Sequence, residues 1–557
     1  MIGLLGLIHA TAIPVPSPTP QPLPGAGLVT QSFLLSLLIW GPVAMALALA
    51  IFPNPRGRND VLFKQIAFFT NLMLLFVAYI GYNQFTLQLG TVPYEENREW
   101  LPGIGAAYHL GVAGPEMAML MLSGLIGIVA VLASLGIRER VRSYFVLLLL
   151  TQGAVNGVIV AHDLFVLLLF WAAPTVPLAL MVLGWGGPRR EAAAWKLLAY
   201  WGVGTAALAV AVVILYAATG GSSFDSDTVL KATLSPRIQL AVGVALIVAA
   251  ATRLPLFPLH GWARDVYADA PVGVGVVIAG SASRLGGFLL LRLLVGAEHD
   301  AANLLAPFVA AIGALTVAYA GVVALRATDL RVVAAHLALA PAGVTLLGLA
   351  SLTPLAIVGS VLSLFAGGLA AAFIVGVCAT ISERANTRSL GLLGGLAPRM
   401  PKLAWLLTLG ALALLSFPLM ASFPALLMTF FGAFKTQPVG AFALVGALAL
   451  VAVALAALLQ RVMFGAPNPD APGVSDSSLG ESWYLALLAG ALLWVGIVPG
   501  GPKIPGTDQP LFDPGLVNVM TTGVSDLSAP YIPQPTPSPT APVTPVAPAG
   551  PTAPATP

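Results

Sequence analysis

The sequence predicts an all-α polytopic membrane protein of about 14 transmembrane helices, and three observations carry the prediction. Of its 557 residues, 58% are apolar and only 8% are charged. Soluble domains carry roughly 25% charged residues, so most of this surface cannot face water. The mean hydropathy is +0.92. The apolar residues also fall in uninterrupted runs, whereas a membrane β-barrel alternates in segments of about ten residues. Together these exclude a soluble enzyme, a nucleic-acid binder and a disordered chain. A net charge of +3 implies no polyanionic partner.

A bilayer core of about 30 Å needs about 20 apolar residues as helix. Runs of that kind lie at 28–52, 61–82, 115–136, 142–161, 163–185, 191–217, 237–257, 270–295, 302–325, 332–351, 353–380, 402–432, 437–460 and 481–500. The run 402–432 is longer than one span needs and contains Pro418 and Pro424, so a broken helix is expected near 418–426. The charges agree with this count. Odd-numbered loops and the span ends beside them hold 17 of the 25 basic residues, from Arg56 to Arg461. Even-numbered loops and the C-terminal segment hold five: Arg98, Lys231, Arg237, Lys435 and Lys503. By the positive-inside rule both termini are non-cytoplasmic, which an even number of spans requires. The chain thus divides into an apolar and Pro-rich segment at 1–27, a transmembrane domain at 28–500 and a Pro-rich tail at 501–557. The Pro-rich ends favour extended backbone and cannot pack a core. The first residues, MIGLLGLIHATAIP, lack the basic n-region of a cleaved signal.

Ionisable groups at bilayer depth are costly and mark function or a structural ion pair. Asp and Glu are nearly absent from the runs, but Arg253, Arg284 and Arg292 lie within them. Arg292, near a span end, reads as a snorkelling anchor. Arg253 and Arg284 read as part of a buried polar pathway, with a structural ion pair or a contact to a freed backbone carbonyl as the alternative. The stretch RLPLFPLHGWARDVYADAP at 253–271 is the most informative. Pro255 and Pro258 interrupt the helix, predicting a break near 253–260, and irregular backbone at that depth survives only inside protein or beside a wet cavity. His260 at the break suits a proton carrier, or is simply a satisfied structural histidine. Trp262 reads as an interfacial anchor, and Asp265 as a helix cap or a partner of Arg264. Lys196, at the start of the sixth run, completes the candidate proton path of His260, Arg253, Arg284, Lys196 and Asp265. Cys378 sits within an apolar run and reads as a small buried residue; one thiol forms neither a disulfide nor a metal site, and no metal or catalytic residue is expected.

At 253–271 the chain resembles the antiporter-like membrane subunits of respiratory complex I, chain M type, and the related Mrp antiporter subunits. The family pattern is roughly K-x-P-x-x-P-L-H-x-W-L-P-D-A-H-x-x-A-P. Further likeness lies in YHLGV at 108–112, GWGGPRREAAAWKLLAY at 184–200, DLRVVAAH at 329–336 and ERANTRSLGLLGGLAPRMP at 383–401. These pieces run in order across residues 60–460. Fourteen spans without a long lateral helix favour chain M over the larger chain L. The resemblance implies an antiporter-like fold with inverted repeats and broken helices, and proton translocation coupled to quinone reduction. It places NADH, FMN, iron–sulfur clusters and quinone in partner subunits, with no cofactor on this chain. The expected partners are other membrane subunits and the lipid bilayer of a bacterial cytoplasmic membrane, and no nucleic acid.

The family moves protons along a central line of buried Lys, Glu and His, and this sequence departs from it repeatedly. The span-five glutamate falls at Ala172 and the span-twelve glutamate at Leu426. The lysines of spans seven and eight fall at Arg253 and Arg284, and two family histidines at Gly367 and Pro341. Gln152 stands where many relatives have an acid, while Asp163 and His260 are kept. A buried lysine can release its proton, but arginine stays charged even when buried. The expectation is a retained fold with an impaired or rerouted proton line. The alternatives are a non-pumping scaffold paralogue, an Mrp-type cation/proton antiporter or membrane hydrogenase subunit, and, last, a stand-alone secondary transporter.

Overall fold

The computed structural model describes residues 33–54, 57–87, 94–230, 234–296, 299–466 and 474–498. The segments 1–27 and 501–557, read above as Pro-rich ends, lie outside the described residues. The bundle begins with α1 (Leu34–Ile51) and α2 (Asp60–Leu87). A β-hairpin follows, β1 (Tyr94–Leu101) paired antiparallel with β2 (Ala106–Val112). The helices α3 (Gly114–Ala133) and α4 (Val141–Val160) come next. Span five is two pieces, α5 (Leu164–Ala172) and α6 (Thr175–Trp185), and span six is α7 (Arg190–Ala218). The short α8 (Ser226–Leu230) leads to α9 (Pro236–Arg253) and α10 (Gly261–Asp269). Span eight joins α11 (Val272–Val277) and α12 (Leu285–Leu289) through π-helical turns at 278–282 and 290–295. The remainder is α13 (His299–Arg326), α14 (Leu330–Leu337), α15 (Ala340–Ser351), α16 (Pro354–Arg384), α17 (Pro401–Leu414), α18 (Ser422–Thr436), α19 (Pro438–Val462) and α20 (Leu479–Ile497).

Among the described residues, 13 spans are helical, long and apolar enough to cross a membrane. The remaining predicted span, the twelfth at 402–432, is the pair α17 and α18, each too short alone. The break between them has a local cause. Pro418 has no amide proton, and Ser416 and Leu419 sit in left-handed backbone at φ 51° and 80°. Such backbone costs a non-glycine residue about 1–3 kcal/mol and persists only where the surroundings impose it. Pro424 lies in the first turn of α18, where no intrahelical amide bond is lost. The break predicted at 253–260 is also present: α9 stops at Arg253 and α10 starts at Gly261. The sequence reading missed the hairpin, because its strand Tyr94–Leu101 carries Glu95, Glu96, Arg98 and Glu99 and offers no apolar signal.

Helix α16 is the axis of the bundle, with every residue from Ala356 to Ser382 buried. Span eight, at 272–295, is equally enclosed. Outer helices bury only one side; Trp195, Trp405 and Val439 are exposed by 70%, 72% and 82%. The exposed apolar side belongs against lipid or other apolar protein.

Two halves of the bundle repeat one device in opposite orientation. Asp163 caps α5, its carboxylate accepting from the amides of Phe165 at 2.8 Å and Val166 at 3.0 Å. Asp329 caps α14 in the same way, accepting from Arg331 at 2.8 Å and Val332 at 3.2 Å. Both capped helices break after about two turns, at Ala173–Pro174 and at Ala338–Leu339. Each is followed two spans later by a second interrupted span, at 254–260 and at 415–421. Five spans separate the two aspartates, so they cap opposite ends of the bundle. These are the inverted repeats that the resemblance implies.

Removing either carboxylate orphans two helix amides. Asp163→Ala and Asp329→Ala should each lower the stability of the purified chain by about 1 kcal/mol, while Asn at either site should retain most of it. Thermal unfolding in detergent checks this, and equal losses for Asn and Ala would count against the cap.

Candidate functional site

The candidate site is built where the interrupted helices meet. Helix α9 ends at Arg253 because Pro255 and Pro258 cannot continue it, and the Arg253 side chain is fully buried. The break at Ala173–Pro174 frees carbonyls in the last turn of α5. One of them, Trp171 O, accepts from Arg253 Nη2 at 2.6 Å, with Thr175 Oγ1 at 3.5 Å. The guanidinium carbon lies 4.2 Å from the Trp171 ring centroid and 4.3 Å from that of Trp201. Cation–π attraction of this kind is worth about 2 kcal/mol when desolvated. Arg253 Nε and Nη1 have no protein hydrogen-bond partner.

Arg284, also fully buried, follows the π-helical turn at 278–282 and donates from Nε to Ala279 O at 3.1 Å. Its two Nη atoms have no protein partner. Helix α16 approaches this turn through Gly368. A Cβ there would stand 2.4 Å from Gly280 O and 3.3 Å from Arg284 Cγ. Among the described residues neither Arg253 nor Arg284 forms an ion pair with a carboxylate. Of the two structural alternatives to a polar pathway, the contact to a freed carbonyl is present and, among the described residues, the ion pair is not.

The other candidates separate into distinct groups. Lys196 and Asp265 pair with each other between α7 and α10, with the lysine side chain half exposed, so they stand at an open end of the bundle. Asp265 therefore pairs with Lys196 rather than with Arg264. Its place within α10 also rules out the capping role. Trp262 is not an interfacial anchor; it is fully buried and packs edge-on against Trp201 at 5.5 Å. Arg292 does not snorkel freely, because Nε lies 3.7 Å from Glu116 Oε1 and both side chains are largely enclosed. Cys378 is buried as expected.

His260 precedes α10 and stands in a row of rings: its centroid is 4.4 Å from Tyr319, which is 5.9 Å from His336. His336 is buried in α14, with Nδ1 2.8 Å from Val332 O. Sequence reasoning passed over His336, although DLRVVAAH at 329–336 ended on it. In the second half of the bundle hydroxyls of α15 and α16 meet one another. Thr345 Oγ1 donates to Ser363 Oγ at 3.1 Å, and Ser363 donates to Pro341 O at 3.3 Å. A small cavity beside them is lined by Pro341, Ser363, Gly367, Ser416 and Ser422. Two of those positions, Pro341 and Gly367, are the ones aligned with family histidines. Hydroxyls bridge a proton wire only through water, since they hold no excess proton near neutral pH.

A second titratable cluster, unseen in the sequence, sits where the hairpin meets the start of span five. His109 Nδ1 is 2.6 Å from Asp225 Oδ1, and Nε2 is 2.9 Å from Glu95 Oε1. The His162 ring lies 5.4 Å away. Burial, reinforced by the Arg292 charge, pushes His162 down to about 3, so it is neutral at physiological pH. Burial raises Asp225, but the hydrogen bond and charge of His109 outweigh it and hold the carboxyl below its ordinary value of 3.8.

Residues 161–452 match the family model described as NADH:quinone oxidoreductase/Mrp antiporter, TM. NAD(P)H-quinone oxidoreductase chain 4 1 of Synechococcus sp. (strain JA-2-3B'a(2-13)) is 32% identical over 446 residues, covering 78% of this chain and 83% of that protein. NAD(P)H-quinone oxidoreductase chain 4 3 of Trichormus variabilis (strain ATCC 29413 / PCC 7937) is 30% identical over 477 residues, 84% of this chain and 88% of that one. A chain of respiratory complex I from Thermus thermophilus with bound NADH shares the fold at TM-score 0.76 and 24% identity, over 88% of this chain and 99% of its own. A chain of the Mrp complex from Dietzia sp. DQ12-45-1b does so at TM-score 0.75 and 17% identity, over 90% and 98%.

Two outcomes follow from this geometry. Arg253 has no carboxylate to strand, so Arg253→Met should leave thermal stability unchanged or raised, whereas Trp201→Ala should cost about 3–5 kcal/mol. Because Asp225 is held below its ordinary value, its contribution to stability is full above pH 4 and is lost as pH falls through the depressed value. Proteolysis of the hairpin should therefore quicken in acid. Asp225→Asn should be cleaved readily at neutral pH, and equal cleavage of variant and parent there would refute the link.

Proposed function

The chain belongs to the NADH:quinone oxidoreductase/Mrp antiporter membrane-subunit family, and from that premise we propose that it is a chain M-like membrane-arm subunit of a complex I-type NAD(P)H:quinone oxidoreductase. The observation that carries this reading is identity of 32% spread over 83% of a relative named as chain 4 of that enzyme. Electrons pass through partner subunits, and this chain contributes to the proton path in the membrane. One buried cysteine cannot hold an iron–sulfur cluster, which takes four thiolate-type ligands, so the redox groups are assigned to those partners. We place both termini on the non-cytoplasmic side, from the loop charges.

Within this chain the proton-handling part is His260 with Tyr319 and His336. An imidazole can accept and release a proton, and the phenol between the two rings can bridge them with water. Arg253 and Arg284 have another role. As fixed cations they raise the energy of a proton passing at roughly 7 Å by about 2 kcal/mol at an effective dielectric of about 20. They set the potential of the seam and carry no proton. Ala172 and Leu426 take no part.

A second reading is a non-pumping scaffold in the same assembly, favoured by the apolar residues at 172 and 426. Membrane vesicles holding the whole enzyme separate the two. His260→Ala should lower the proton-to-electron ratio at normal assembly, while Arg284→Ala should leave it near the parental value. An unchanged ratio in His260→Ala would leave the scaffold. The Mrp-type alternative is tested by the subunits that co-purify: flavin and iron–sulfur proteins mean the oxidoreductase, and antiporter subunits mean Mrp.

A further inference from the structure

We propose that Arg253, clasped between Trp171 and Trp201, binds a small monovalent anion of the halide class. The argument begins with charge. The guanidinium is fully buried, and arginine keeps its proton under such burial, so a counter-charge is needed at the site. None of the ion pairs among the described residues involves Arg253. The helices packed against α9 carry Arg190, Glu191 and Lys196 in the first turns of α7 and Asp300 and Arg326 at the two ends of α13, and the π-helical turn at 290–295 brings Arg292, whose Nε lies 3.7 Å from Glu116 Oε1. Arg284, just before α12, adds a second positive charge rather than a balancing one. A carboxylate from a neighbouring subunit does not reach a side chain with no exposed surface. What remains is a small ion that diffuses in.

The hydrogen-bonding inventory says which sign and kind. Arg253 Nε and Nη1 have no protein partner, and neither do the buried indole nitrogens of Trp171, Trp201 and Trp262. Two of these donors are the cation's own, and the Trp171 and Trp201 indoles belong to the rings packed against it; all five are incapable of accepting. The nearby acceptors, Trp171 O and Thr175 Oγ1, each take one bond from Nη2, and neither carries a negative charge. A water molecule among these groups could accept from two donors, but its own two protons would then need acceptors. A halide accepts from several donors and donates nothing. The two tryptophan faces cover the flat sides of the guanidinium, which leaves its edge as the binding surface. An acceptor-only monovalent anion satisfies both the charge and the unpartnered donors, whereas water leaves the charge unbalanced.

The test uses the full-length chain within its purified assembly, with bromide as the probe. Crystals soaked in bromide should give an anomalous difference peak within hydrogen-bond distance of the Arg253 guanidinium, and Arg253→Met should abolish it. Tryptophan fluorescence titrated with bromide against gluconate at constant ionic strength should contain a saturable quenching component. That component should be absent from Arg253→Met and about three- to tenfold weaker in Trp201→Phe, which keeps a ring but loses one donor. If Arg253→Met does not assemble, Trp201→Phe still decides the matter. A non-anomalous water peak at the site, or linear quenching identical in parent and variants, overturns the proposal.

Discussion

A guanidinium in hydrocarbon keeps its charge and five donors, and the bilayer offers nothing to accept from them. That constraint shapes the centre of this molecule. Intact helices already engage their own carbonyls once, so an interior arginine is met most readily by backbone where a helix is broken. The break at Ala173–Pro174 provides Trp171 O for Arg253, and the π-helical turn at 278–282 provides Ala279 O for Arg284. The broken spans, the wide turns and the small residues that let α16 approach them belong to one arrangement.

The arrangement is duplicated. Asp163 and Asp329 start two helices that fail after about two turns, and each is followed by a second interrupted span. The first copy holds Arg253 at its break, and the second holds hydroxyls and a small cavity. The architecture has thus been kept while its chemical contents have diverged between halves. Groups able to exchange protons are concentrated at His260 and His336, and in the separate cluster around His109. The two arginines are met instead by backbone carbonyls.

Replacing lysine by arginine is conservative in charge alone. Lysine can be discharged by burial, and its switching depends on a nearby carboxylate. With alanine at 172, the cation at 253 has lost that partner, and a cage of two tryptophans and a carbonyl stands in its place. Such a cage holds a cation firmly and leaves its outer edge undersatisfied.

The sequence by itself determined the membrane class, the number and order of spans, and the two predicted breaks. Each of these follows from local properties: run length, charge content, and prolines such as Pro255, Pro258 and Pro418 that cannot donate an amide. It also determined the family, through motifs in order along the chain. Tertiary structure alone decided which groups meet. Lys196 pairs with Asp265, Arg292 approaches Glu116, and Trp262 is buried against Trp201, all across separations that no local pattern encodes. The hairpin and its His109 cluster were likewise invisible, because the first strand is polar and the second, AAYHLGV, has no alternating period to read. Burial of a polar side chain depends on which helix faces it, and that is settled only when the bundle closes.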